Sequence, residues 1–96
     1  MKIAKIETQI PVLFLKEGEV FVCYTPAFDL AASGDTLEEA KASFDVSCKM
    51  ILQEVVKDGT LETMLQNYGW VKSKAGWSSP KLIGQESKEV RIPIHA

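Results

Sequence analysis

The sequence is poor in the residues from which small active sites are usually built. It has one histidine, His95, and two cysteines, Cys23 and Cys48, with no C-x-x-C spacing. A structural zinc site needs grouped nitrogen or sulfur ligands and a redox pair needs neighbouring thiols, so neither chemistry is expected. Separate thiols on a predicted strand and a predicted helix face instead fit reduced core residues in a cytoplasm. No apolar run approaches the roughly 18 residues that a membrane span requires. Glu7, Thr8 and Gln9 interrupt the stretch after Lys2 and Lys5 where a secretory signal would place its apolar core, so export is not expected either. Gly18 and Gly34 are isolated, and neither belongs to a phosphate-cradling glycine loop.

What is present describes one ordinary folding unit. The chain has 96 residues, 46% hydrophobic and 25% charged, which places it among globular domains and makes residues 1–96 a single domain. A chain this short buries only about 60 to 65% of the surface its unfolded form exposes, so association with another chain would add substantially to a thin core. The net charge of −2 hides an asymmetry. Residues 1–64 hold six Lys against eleven Asp or Glu, giving −5, whereas residues 65–96 hold five Lys or Arg against two Glu, giving +3. An acidic body suits a basic partner through its effect on encounter.

The periodicities predict an α+β fold in the order β-β-β-α-α-β, with an antiparallel sheet of three to four strands, one long amphipathic helix and one short one. Residues 8–15 and 20–25 are rich in β-branched and aromatic residues and are joined by Lys16-Glu17-Gly18-Glu19, which reads as a hairpin. Both faces of the second strand are apolar, Val20, Val22 and Tyr24 on one side and Phe21 and Cys23 on the other. Pro11 assigns the first strand to an edge or a bulge. A third short strand is expected through residues 28–33. Thr36 and Glu39 have the T-x-x-E spacing of a capping box, and Asp35 with Glu38 offers a similar frame one residue earlier. Leu37, Ala40, Phe44, Cys48, Ile51 and Val55 then form one apolar stripe along about five turns. Gly59 stops this helix, Thr60 is placed to cap a second, and Gly69 ends that one. Residues 71–89 read as a connecting loop, and residues 90–95 as a closing edge strand in which Val90, Ile92 and Ile94 alternate with Arg91, Pro93 and His95.

Few of these residues offer chemistry. Asp29, Asp35, Glu38 and Glu39 gather near one corner, but helix capping explains Asp35 and Glu38, and the adjacent Glu38 and Glu39 face different directions, so no two-metal geometry is expected. No catalytic, metal or cofactor-binding residue is assigned. Trp70 and Trp77 beside Lys72, Lys74 and Lys81 offer an aromatic and basic patch of the type that stacks single-stranded nucleic acid; the competing reading is that both rings pack the loop onto the body. Val46 and Met50 lie on the helix face opposite the stripe. With Trp77, Val90, Ile92 and Ile94 they are the candidate contacts to a partner or a second copy.

The stretch from Tyr24 to Ala40 resembles the HicB-like antitoxin family. Members show a strand ending in Tyr and Pro, a short acidic and apolar turn, then Gly-Asp-Thr, a spacer and Glu-Glu-Ala. Tyr24, Pro26, Gly34, Asp35, Thr36, Glu38, Glu39 and Ala40 occupy the matching positions here. The resemblance extends from about Val12 to Trp70, with Leu30-Ala31-Ala32-Ser33 standing where the family usually has Pro-Gly-Cys. It implies a degenerate ribonuclease H-like fold without the nuclease's catalytic acids, and a role neutralising a small basic mRNA-cleaving toxin without any cofactor. The motif residues themselves read as mainly structural: Pro26 ends the strand, Gly34 permits the turn, and Asp35 with Thr36 starts the helix. Many members repress their own operon through an added DNA-binding segment, and no DNA-reading helix is evident after Gly69. The alternative from the residues is a homo-oligomeric domain, dimer or larger, with a ligand- or nucleic-acid-binding role in the basic, Trp-containing C-terminal segment.

Overall fold

The computed structural model describes residues 8–95. Along them run β1 (Leu13–Glu17), β2 (Val20–Thr25), β3 (Leu30–Gly34), α1 (Leu37–Asp58), α2 (Leu61–Asn67), β4 (Val71–Ser73) and β5 (Gly76–Ser78). The first three strands form an antiparallel sheet in the order β1-β2-β3, and the last two pair as a separate short hairpin. The architecture is α+β, as the periodicities predict, with one strand more in the chain order.

The β1–β2 connection is tighter than predicted. β1 begins at Leu13 rather than at residue 8 and continues through Lys16 and Glu17, which leaves only Gly18 and Glu19 in the turn. Gly18 has φ 63°, the left-handed value that the first position of a type II′ hairpin turn demands and glycine supplies without steric cost. Pro11 precedes the strand, so its missing N–H interrupts no ladder. β3 likewise starts at Leu30, two residues later than expected.

Register assigns the two faces of this sheet. Phe14, Lys16, Phe21, Cys23, Thr25, Leu30 and Ala32 share the side that α1 packs against, while Leu13, Leu15, Glu17, Val20, Val22 and Tyr24 share the other. The helix stripe meets the first side. Ala40 and Phe44 are buried against Cys23, with Leu37 and Cys48 packed around them. Ile51 and Val55, at the far end of the stripe, are only half-buried because the sheet ends before the helix does.

A second core sits beyond the end of the sheet, where Ala27, Phe28, Leu65 and Trp70 are buried among Leu52, Leu61, Met64 and Trp77. Both helices end in the same way. Gly59 (φ 72°) lets Thr60 N–H reach Val55 O at 2.9 Å and its own N–H reach Val56 O at 3.2 Å. Gly69 (φ 84°) repeats the pattern, with Trp70 N–H on Leu65 O at 3.0 Å. This paired bonding satisfies carbonyls that a helix end leaves orphaned. Thr60, predicted as a side-chain cap, makes no such hydrogen bond.

Two readings of the C-terminal third require correction. The segment 71–89 is not one loop, because Val71–Ser73 pairs with Gly76–Ser78 in a hairpin. The predicted strand 90–95 is absent from the described chain. Val90, Ile92 and Ile94 are 76%, 73% and 84% exposed and belong to no ladder. A strand needs a neighbour to satisfy its backbone groups, and these residues have none among the described residues.

Candidate functional site

The junction between β2 and α1 is built around a buried threonine. Thr25 is fully buried at the end of β2; its hydroxyl donates to Pro11 O at 2.6 Å and accepts from Ala27 N–H at 3.1 Å. This turns the chain at Pro26 and drives Ala27 and Phe28 inward. Trp70 closes over them, donating its indole N–H to Ala27 O at 2.8 Å and stacking on the Phe28 ring with centroids 5.5 Å apart. Asp29 then takes φ 49°, and its carboxylate accepts the Tyr24 hydroxyl at 2.9 Å. That hydrogen bond, with partial desolvation and the Asp29 charge, pushes the Tyr24 phenol above its ordinary value.

Gly34 serves a purpose different from the one its place in a turn implies. It does not adopt a left-handed conformation; instead, a Cβ at this position would lie 2.6 Å from Ala40 N and 2.7 Å from Glu39 Cβ. Its missing side chain lets the first turn of α1 descend directly onto the end of β3. Thr36 is the N-cap, its hydroxyl accepting from Glu39 N–H at 3.1 Å, as the T-x-x-E spacing predicts. The Glu39 carboxylate reaches back one residue further than in a standard capping box, to Asp35 N–H at 3.0 Å. Glu38 joins neither bond but lies in the first turn, where a carboxylate complements the helix dipole. Ala40 is fully buried beneath this start.

Register brings the β1–β2 turn, which carries Glu17 and Glu19, to the same end of the sheet. Phe21 pairs with Gly34 and Glu17 pairs with Val20, so the β1–β2 turn stands beside Asp35. The result is a shallow groove of about 580 Å³ lined by Val20, Ser33, Gly34, Asp35, Glu39, Ala42 and Ser43. Glu17 and Glu19 flank it through their neighbour Val20. Its lining mixes apolar Val20 and Ala42 with two serines and two acidic residues, and the Glu39 carboxylate is tied to the helix start by its bond to Asp35 N–H.

The other candidates are dispersed. Val46 and Met50 are 59% and 63% exposed on α1, away from both core clusters. Trp70 is buried and Trp77 packs against the second core, so the pair does not present two free faces for stacking bases. Lys72 is paired with Glu62 at 2.9 Å and lies 5.6 Å above the Trp77 ring. Burial, and then the nearby Asp45, raise the Cys48 thiol, which disfavours a reactive thiolate. Among the described residues no three His, Cys, Asp or Glu side chains come together in a way that could hold a metal ion. None of the helices among them is long and apolar enough to cross a membrane.

Sequence reasoning missed the Trp70 clasp and the placing of the β1–β2 turn, with Glu17 and Glu19, at the same end of the sheet as Asp35. The first had a signal in Gly69-Trp70 directly after a helix; the second had none, because it depends on strand register. No family model, curated protein or solved structure matches the chain.

Proposed function

We propose that the chain is a non-enzymatic, cytoplasmic protein-binding module whose acidic corner receives a small basic protein, the role implied by its resemblance to HicB-like antitoxins. The observation that carries this reading is the groove at the β3–α1 junction, which Asp35 and Glu39 line together with Val20 and Ala42, with Glu17 and Glu19 next to Val20 in the adjoining hairpin. Charge arranged in this way accelerates encounter with a cationic partner and fixes its orientation, while Val20 and Ala42 provide apolar area to bury. The residues matching the family motif support the reading, because they are the ones that build the groove: Gly34 by close approach, and Thr36 and Glu39 by capping. A ribonuclease H-like ancestry belongs to the same proposal.

Co-expression with the product of an adjacent reading frame for a short basic chain, followed by co-purification, tests it. Glu17 and Glu19 make no described hydrogen bond or ion pair, so a Glu17→Lys/Glu19→Lys variant is expected to fold normally and to lose most of the partner's affinity. The native complex is expected to weaken steeply toward about 1 M salt, where screening acts over only about 3 Å. A complex indifferent both to the double substitution and to salt would contradict the proposal.

A further inference from the structure

The side of the sheet that faces away from α1 is apolar and open. Leu13, Leu15, Val20, Val22 and Tyr24 share it, and among the described residues no element packs against it. Leu15 and Val20 are 48% and 37% exposed; only Val22, flanked by β1 and β3, is buried. The same chain carries a second apolar surface that none of the described residues covers, in Val90, Ile92 and Ile94. After Ser79, whose hydroxyl donates to Gln9 O at 2.8 Å, residues 80–95 form neither helix nor strand. This arm contributes to an extent of 64 Å along one axis against 27 and 24 Å along the others.

We propose that the arm of one chain lies across the open sheet face of a second copy. The spacings agree: Val90, Ile92 and Ile94 recur every second residue, about 6.8 Å apart when extended, and Val20, Val22 and Tyr24 do the same along β2. Three apolar side chains therefore meet three in one register. Lys88 shares their parity and falls beyond one end of the face, where an acid waits in either direction of the arm, Glu17 at the Val20 end or Asp29 at the Tyr24 end; its only described ion pair is an exposed one with Glu86 at 3.7 Å. Pro93 turns to the solvent side with Arg91 and His95, and because the arm packs on a face rather than pairing along an edge, its missing N–H costs no ladder bond.

Reach and area both point to a second copy as the occupant. The ten residues from Pro80 to Glu89 span up to about 35 Å when extended, enough to leave one body and cross another. Three strands of five or six residues offer a face of only about 14 by 20 Å, well short of the roughly 800 Å² per partner of a stable interface. Two-fold exchange places both arms and both faces in one interface and removes that shortfall. This interface shares Val20 and Glu17 with the edge of the acidic groove but is otherwise built from Leu13, Leu15, Val22 and Tyr24, so a cross-link from Leu15 tests it separately from the binding of a basic partner.

The test uses full-length chains. Leu15→Cys and Ile92→Cys variants are purified separately, mixed, and treated with a bis-maleimide spanning about 10 Å, the separation of packed β layers. The wild-type chain reports the background from Cys23 and Cys48, and Met50→Cys replaces Ile92→Cys as an exposed control. The expected product is a cross-linked pair containing one chain of each variant, several-fold more abundant than the pair formed with Met50→Cys. Equal yields with the two would overturn the proposal. So would an intramolecular link in a Leu15→Cys/Ile92→Cys chain unaffected by dilution, because the arm would then cover its own face. Sedimentation of the wild-type chain as a 10.6 kDa monomer at micromolar concentration would overturn it independently.

Discussion

Two neighbouring residues of β2 are both buried but face differently covered sides of the sheet. Cys23 faces α1 and is fully buried with Ala40 and Phe44. Val22 faces the other way, and its neighbours on that side, Leu15 and Val20, remain substantially in water. The two faces have similar hydrophobicity but different cover: one receives a 22-residue helix and the other receives nothing from the described residues. A helix of that length spends its single apolar stripe on one face, and α2 is committed to the second core around Phe28 and Trp70. The lesson is that apolar alternation reports which surfaces need burial, while topology decides which of them the chain itself can bury.

Substitutions on the two faces should therefore separate folding from association. The largest effect is expected at the centre of the covered face, where Phe44→Ala should cost about 3 to 5 kcal/mol, most of the stability of a domain this small. Denaturant unfolding measures this, and an unchanged midpoint would mean that α1 does not pack as described. Next is Gly34→Ala, which places a methyl group against the backbone of Glu39 and Ala40 and should cost about 1 to 3 kcal/mol. Full stability in that variant would show that the helix start can shift off β3. Thr36→Ala should cost about 1 kcal/mol through loss of the bond to Glu39 N–H, visible as a lower thermal midpoint.

The smallest effect lies on the open face. The Tyr24 phenol is raised above 10.0 in the folded chain, so its neutral form is the favoured one. Its contribution to stability is fully present below pH 10.0 and is lost as pH rises through the folded value. A Tyr24→Phe chain should accordingly show a slightly shallower loss of stability above that pH than the native chain. Identical alkaline profiles would mean that the bond to Asp29 is not maintained in solution.

Legibility in the sequence followed the range of the interaction. The α1 cap and stripe are local and periodic, so Thr36, Glu39, Ala40 and Phe44 could be placed from spacing alone. The β1–β2 hairpin was recognisable from Gly18, though not its length, because Lys16 and Glu17 carry weak strand preference. The β4–β5 hairpin escaped because three-residue strands are too short to show alternation. Gly34 was read as a turn residue because the clash that requires glycine comes from Glu39 and Ala40 across a tertiary contact. The acidic groove depends on the pairing of Phe21 with Gly34, which composition does not encode. The alternation of Val90, Ile92 and Ile94 was legible, but it led to a strand that the described chain does not form, since alternation specifies a face and not a neighbour.

The claim that one face is core and the other an interface is tested most directly by thermal unfolding at different protein concentrations. Anything that binds only the folded chain raises its midpoint with concentration, and a second copy is such a ligand. Between about 1 and 100 μM the wild-type midpoint is expected to rise by several degrees, and a Leu15→Glu chain, with a charge in the open face, is expected to melt at one temperature throughout. A wild-type midpoint that does not change across that range would contradict the account and mean that the exposed face needs no cover.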